Sequence, residues 1–280
     1  MAIIKDKCFD EERALYISDS VEAINCKFNG PKDGESAFKE SKNIVATNCF
    51  FNLRYPFWHD TNVEINECQM TDKCRAALWY SDGIKVNNSK FDGIKVFREC
   101  KNITINNSEI NSPEGFWDCE NVEINNSKID SMYFLSRTNN IKANNLTFTG
   151  KYSFQYTNNL TIENSNLDTK DAFWHSENTT VKNSTIKGEY LGWYSKNLTL
   201  ENCTIIGTQP LCYCENLKII NCKFVDADLA FEYSSVEADI IGEIKSVKNP
   251  LSGYINADKI DEIILKDSKY PCTCKITTNN

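Results

Sequence analysis

Glu99, Asp118 and Arg137 follow one another at intervals of nineteen residues. If each stands at the same point of successive turns of a wound chain, neighbouring backbones lie about 4.8 Å apart. Carboxyl groups about 5–5.5 Å apart can act as nucleophile and general acid/base on a glycosidic bond. Arg137 would hold one of the pair ionised, and these three are the candidate catalytic residues. The competing reading is an acid pair on a solvated face, relieved by Arg98 and Arg137.

Large aromatic and charged side chains recur beside them: Trp58-His59, Arg98-Glu99, Trp117-Asp118, Tyr156, Trp174-His175 and Trp193-Tyr194. Such a band suits stacking on sugar rings or contact with a protein partner, and a ladder of cross-strand rings accounts for it without a ligand. Lys170, Asp171 and Glu189, with Lys151 one interval before Lys170, form a second charged group whose cations could neutralise a uronate. Trp58, His59, Arg98, Trp117, Tyr156, Lys170, Asp171, Trp174, His175, Glu189, Trp193 and Tyr194 are therefore the candidate substrate-binding residues. His59 and His175 are 175 − 59 = 116 residues apart. At one coil per nineteen residues that is roughly 29 Å, too far for one catalytic pair.

The elements that must position these groups are written in a repeat. An Asn precedes an apolar-x-apolar triplet at Asn102, Asn121, Asn140, Asn159, Asn178, Asn197 and Asn216, each step nineteen residues. Asn43 and Asn62 extend the series backwards, Gly83 replaces Asn once, and Ser235 continues it, giving about eleven coils. Counting from this anchor, apolar residues fall at +1 and +3, at +8 (Phe91, Ile110, Ile129, Phe148) and near +14 (Phe97, Phe116, Phe154, Phe173). The spacing is that of strands, and three short strands per coil around one core are expected. The residue at +15 should then lie outside.

An Asn at +5 (Asn88, Asn107, Asn126, Asn145) fits a left-handed corner and an amide ladder between coils. Cys exchanges with Ser and Thr at +6 (Cys49, Cys68, Ser89, Ser108) and two residues before the anchor (Ser81, Cys100, Cys119, Thr138), which reads as small buried filling. Disulfides between stacked neighbours and metal ligation are the minor alternatives. The segment Leu198-x-Leu200-x-x-Cys203-x-Ile205 also fits a leucine-rich repeat, but Ser195 stands where that repeat wants a Leu. An all-β parallel β-helix solenoid is the preferred fold.

Gly34-Glu-Ser-Ala-Phe-Lys-Glu-Ser41, Arg54-Tyr-Pro-Phe-Trp58, Arg75-Ala-Ala-Leu-Trp-Tyr-Ser81, Lys170-Asp-Ala-Phe-Trp174, Gly188-Glu-Tyr-Leu-Gly-Trp-Tyr-Ser195, Gly207-Thr-Gln-Pro-Leu-Cys-Tyr-Cys214 and Phe231-Glu-Tyr-Ser234 resemble the bacterial domain-of-unknown-function family 3737. The similarity extends over nearly the whole chain. It implies a pectin-lyase-like right-handed β-helix and carries no activity with it. The calcium-binding acidic set of polysaccharide lyases is missing, as are the Asn-Thr-Asp, Asp-Asp and Gly-His-Gly segments of polygalacturonases.

With 280 residues, 41% hydrophobic and 25% charged, the chain is expected to form a single domain over 1–280: a cap at 1–20, regular coils over 21–235, and final coils with a C-terminal cap over 236–280. The net charge of -8 disfavours nucleic acid or an anionic membrane as partner. No basic segment followed by an apolar core opens the sequence, so a cytoplasmic location is expected. Thirteen cysteines without export signals argue for free thiols. No cofactor or metal is expected. The functional expectation is carbohydrate binding or processing along the aromatic and charged face, with an oligosaccharide or glycoconjugate as partner. The alternative is a non-enzymatic scaffold holding a protein partner or its own copy.

Overall fold

The structure, a computed structural model, describes residues 1–30 and 35–279; Gly34 of the family-like segment lies outside them. The chain is an all-β parallel solenoid of about 14 turns, and no helix occurs among the described residues. It divides into two compact units, Met1–Ile141 and Lys142–Asn280. Each is built of the same coil.

In the first unit, long strands Asp19–Ile24, Lys42–Thr47, Thr61–Asn66, Asp82–Asn87, Lys101–Asn106 and Glu120–Asn125 pair in parallel. Each residue faces its counterpart one coil on: Ile84 meets Ile103, and Ile103 meets Val122. Short strands such as Lys90–Asp92 and Glu109–Asn111 form the second side. Phe57–Trp58, Leu78–Trp79, Phe97–Arg98 and Phe116–Trp117 form a four-stranded sheet on the third.

The second unit keeps the long strands, as in Asn158–Glu163, Glu177–Lys182 and Lys196–Glu201, and the short ones. Its third side is a run of turns in place of the third strand expected. Asp171, Phe173 and His175 alternate into positive φ (54°, 61° and 54°), and the Ser176 N–H closes a turn on the Phe173 carbonyl at 3.1 Å. Alternating left-handed residues cannot form an extended ladder.

At the ends the strands keep the same pairing. Within residues 1–20, Ala2–Lys5 pairs with Asp19–Ile24, and Cys8–Phe9 with Lys27–Phe28. After Ser235, strands Ser235–Lys248, Ser252–Ile264 and Lys275–Thr278 keep stacking without the Asn anchor. Backbone pairing needs no particular side chain, which is why about eleven recognisable repeats understate the coil number.

The apolar columns fill the interior as the spacing predicts. Ile103, Ile105, Ile110 and Phe116 are at most 1% exposed, and rings lie on rings, as in Phe28 on Phe51 at 4.9 Å. Asn at the anchor is left-handed (Asn102 φ 52°, Asn121 φ 56°), and its amide donates to the Asn one coil back, as from Asn121 to Asn102 at 2.9 Å. A second ladder runs at +4, through Asn66, Asn87, Asn106 and Asn125. At the expected +5 position the ladder runs in the second unit, from Asn202 to Asn183 at 3.2 Å and from Asn221 to Asn202 at 2.8 Å.

The Cys/Ser/Thr columns do more than fill space. Backbone N–H groups there donate to side chains of the next coil, as from Ser89 N–H to Ser108 Oγ at 3.1 Å and from Cys49 N–H to Cys68 Sγ at 3.3 Å. The acceptor donates onward, as from Ser108 Oγ to the Asn106 carbonyl at 2.8 Å. All thirteen cysteines are free. Burial pushes the Cys119 thiol up to about 12 and the Cys214 thiol up to about 11, so both stay protonated and weakly nucleophilic at neutral pH.

One member of these columns breaks the pattern. Asp60 is 1% exposed; its Oδ1 accepts the Ser41 N–H at 2.8 Å, and Ser81 Oγ accepts the Asp60 N–H at 3.1 Å. Its Oδ2 has no hydrogen-bond partner. A hydroxyl here both accepts and donates, whereas a carboxylate only accepts and a neutral carboxylic acid does both. Burial, opposed by the Ser41 bond and reinforced by nearby Glu40, pushes Asp60 up to about 8.

The linkage has a definite sign. The unfolded aspartate ionises near 3.8 and the folded one near 8, so between these values the folded state holds the extra proton. Stability is therefore lost as pH rises through that window, by up to about 1.4 kcal/mol per pH unit. Asp60→Asn, which keeps both an acceptor and a donor, is expected to melt above the wild type at mildly alkaline pH. The gap should close toward pH 4 in thermal unfolding followed by circular dichroism. A gap that does not change with pH would contradict the assignment.

Candidate functional site

Three residues before the anchor the chain turns its third corner, and it does so in the left-handed conformation: His59, Tyr80, Glu99, Asp118 and Arg137 in the first unit, Tyr156, His175, Tyr194 and Tyr213 in the second. At the Asn corners a short amide tolerates this backbone. Bulky side chains held there cost on the order of 1 kcal/mol each, a strain that is retained where something else depends on the side chain.

In the first unit the corner is a mixture of rings and charges. Trp58 stacks on Trp79 at 5.6 Å and His59 packs against Tyr80 at 4.9 Å. The Lys39 ammonium lies 4.2 Å over the Trp58 ring, and the Arg98 guanidinium 5.4 Å over Trp79. Arg98 Nε reaches its neighbour Glu99 at 3.3 Å. Arg137 grips Asp118 with Nε and Nη2, both at 2.7 Å, and stands 5.0 Å from the Trp117 ring. The hydrogen bonds to Asp118 raise Arg137 above its ordinary value. Each carboxylate of the candidate catalytic trio thus has an arginine of its own.

In the second unit the corner becomes a column of rings. Tyr156, His175, Tyr194 and Tyr213 stack at 4.9, 5.1 and 4.8 Å with interplanar angles of 8°, 7° and 12°. The column continues through Tyr233 to Tyr270, at 6.0 and 5.2 Å. Alongside it Trp174 stacks on Trp193 at 5.5 Å. Their indole N–H groups donate to the carbonyls of Tyr190 at 2.6 Å and Gln209 at 2.8 Å.

Lys170 Nζ pairs with Glu189 at 2.8 Å and lies 5.4 Å from the Tyr190 ring. Asp171 is only 7% exposed. Burial pushes its carboxyl up while Lys170 draws it down. It stands behind the surface that its neighbours present.

The structure places Trp58, His59, Arg98, Glu99, Trp117, Asp118 and Arg137 in the first unit, and Tyr156, Lys170, Asp171, Trp174, His175, Glu189, Trp193 and Tyr194 in the second. The repeat passes over Trp79 and Tyr80, because the coil from Asn62 to Gly83 has twenty-one residues and a forward count misplaces them. Counting back from Gly83 puts them in register. Tyr213, Tyr233 and Tyr270 were also missed; Tyr213 was readable three residues before Asn216.

The described cavities lie elsewhere. A recess of about 590 Å³ in the second unit is lined by Asn197, Asn216, Lys218, Ser235 and Glu237. One of about 550 Å³ in the first unit follows Glu67, Asn88, Asn107 and Lys128. Neither contains Glu99, Asp118 or Arg137. Among the described residues no group of three or more His, Cys, Asp or Glu is arranged to hold a metal ion, and no helix is long and apolar enough to cross a membrane.

Replacing the charges should separate their contributions. Asp118→Asn removes an exposed ion pair and is expected to cost less than about 1 kcal/mol. Arg137→Ala also removes the contact with Trp117, for a total of about 1–2 kcal/mol. Denaturant unfolding should rank Arg137→Ala below Asp118→Asn; the reverse order would contradict this packing role.

Among curated proteins none matches the chain. Solved structures similar in fold include PfbA, a surface adhesin of Streptococcus pneumoniae, at 10% identity and TM-score 0.49 over 83% of each chain. A mannuronic acid specific polysaccharide family 6 lyase from human gut microbiota matches at 7% identity and TM-score 0.41, covering 97% of this chain and 82% of its own. The A-module of an Azotobacter vinelandii mannuronan C-5 epimerase matches at 8% identity and TM-score 0.35, covering 99% and 89%. The profile of one sequence family, protein of unknown function (DUF3737), matches residues 2–277, and the chain belongs to that family.

Proposed function

We propose that this protein is a saccharide-binding module that engages an extended, hydroxyl-rich chain along the Tyr/His column of its second unit. The observation that carries the reading is that four stacked rings, Tyr156, His175, Tyr194 and Tyr213, are kept on left-handed backbone with their edges toward solvent. Tyr156 is 55% exposed and Tyr194 43%. The ring faces are covered by one another, so stacking of a sugar on a face is confined to the ends of the column. What remains accessible is a row of phenolic hydroxyls and imidazole nitrogens at one-coil intervals. Each hydroxyl both donates and accepts. A row of this kind complements a polymer presenting hydroxyls at regular spacing, and the apolar flanks of the rings exclude water from the bonds it makes.

Catalysis is not part of the proposal. Glu99 and Asp118 are each tied to an arginine, and Lys170 and Glu189 are tied to each other.

Tyr194→Asn and His175→Asn test the reading, because Asn suits the left-handed corner. Loss of two stacking contacts costs about 1–3 kcal/mol, partly offset by relief of the backbone. Melting temperature should therefore move little, while affinity for the glycan identified on an array falls at least about tenfold, or about 1.4 kcal/mol. Glu99→Gln should bind as the wild type does. A wild type that binds nothing on neutral and acidic glycan arrays, or Asn variants that bind undiminished, would overturn the proposal.

A further inference from the structure

The anchor amide ladder of the second unit stops inside the stack. Asn178, Asn197 and Asn216 each donate from Nδ2 to the Oδ1 of an Asn one coil back, at 3.0, 2.9 and 3.1 Å. Among the described residues nothing donates to Asn216 Oδ1 in turn. The cause is a shortened corner. Cys214, Glu215 and Asn216 separate Tyr213 from Leu217, but only Ser234 and Ser235 separate Tyr233 from Val236, the partner of Leu217. Ser235 Oγ accepts the Asn216 N–H at 2.8 Å, and Ser235 pairs with Ser252 on the next coil. Beside Ser252, Gly253 has φ 95°, and a Cβ there would collide with the Val236 carbonyl oxygen. Over this run of short side chains opens the recess of about 590 Å³, within the range of about 300–1,000 Å³ usual for small-molecule sites. Lys218 and Glu237, two residues past the corner and 3.9 Å apart, also line it. Their charges balance, so the recess favours an uncharged group.

We propose that this recess holds the acetamido group of an N-acetylated sugar, whose N–H donates to Asn216 Oδ1 and continues the ladder by one coil. The inference rests on the saccharide reading above and narrows its ligand class. The free end of the ladder is a carbonyl oxygen, which needs a donor. The hydroxyls of Ser235 and Ser252 and the Lys218 ammonium are donors, which need an acceptor. An amide supplies both from two adjacent atoms, as each Asn of the ladder does. A carboxylate would meet Asn216 Oδ1 without a proton, and an ammonium would meet Lys218 as a like charge. An Asn or Gln side chain of another protein carries the same amide, but the row of phenols favours the sugar. Tyr213 stands three residues before Asn216 and Tyr233 two before Ser235, a span of at most about 11 Å. A sugar chain engaged on the column therefore has the recess beside it.

The test is affinity on an array carrying N-acetylglucosamine and N-acetylgalactosamine oligomers beside their N-deacetylated and 2-hydroxyl counterparts. The wild type should bind the acetylated forms at least about tenfold more tightly than either counterpart. Asn216→Gly removes the acceptor at a corner conformation that Gly83 already adopts, with φ 74°. Ser235→Asn fills the recess with an amide of the protein's own. Both variants should lose the preference while melting near the wild type, and a capped peptide rich in Asn and Gln should not compete. Equal or tighter binding of a counterpart, a preference that survives in both folded variants, or competition by the peptide would overturn the proposal. The two readings fail separately. Counterparts bound equally by the wild type but lost in Tyr194→Asn would strike the acetamido assignment alone, whereas an acetamido preference unmoved by Tyr194→Asn would strike the column alone.

Discussion

Every side chain in these coils lies over its counterpart one coil on, so each must be compatible with near-copies of itself about 4.8 Å away. Amides, hydroxyls, thiols and flat rings meet this condition with themselves: the Asn ladders, the Ser and Cys columns and the Phe stacks are the result. Charges cannot. The surface resolves the conflict by alternating signs between neighbouring coils, as in Lys101 with Glu120, Lys182 with Glu201, Lys196 with Glu215 and Lys218 with Glu237. Each exposed pair contributes little stability, but a coil slipped by one residue would set these charges against the wrong partners and turn the apolar columns outward.

The same condition clarifies the band at the third corner. Asp118 and Arg137 are one more pair nineteen residues apart. Glu99 stands one coil before Asp118, a like-charge neighbour relieved by Arg98 at its side. Each of these carboxylates is paired with an arginine in the wall of the coil. The Tyr/His column also meets the stacking condition, but at a corner where Asn would be easier on the backbone and is used twice in the same coil. That disagreement between local preference and observed residue makes the column the candidate site.

The repeat length, the apolar columns and the Asn corners were legible because like-on-like stacking writes near-copies of one coil along the sequence. Family resemblance added the expectation of a right-handed winding. Less legible were features that the period does not encode. The third side of the second unit carries at Phe173-Trp174 the same Phe-Trp pattern that forms strands in the first, yet Asp171, Phe173 and His175 alternate into turns. The orientation of Arg98 toward Glu99 and Arg137 toward Asp118 is a choice among rotamers. Trp79 and Tyr80 were displaced by two inserted residues, and the first coil escaped notice because it carries no Asn anchor. Asp60 looked like one more small polar filler; only its burial reveals why its carboxyl is pushed up.

Removing one whole period tests the register directly. Deletion of residues 102–120, nineteen in all, joins Lys101 to Asn121 and returns every column to its own kind. The shortened chain should give a β-type circular dichroism spectrum and one cooperative thermal transition, whereas deletion of 102–119 should abolish both. Equal folding of the two deletions, or equal loss, would contradict the claim that stacking of like on like holds this protein together.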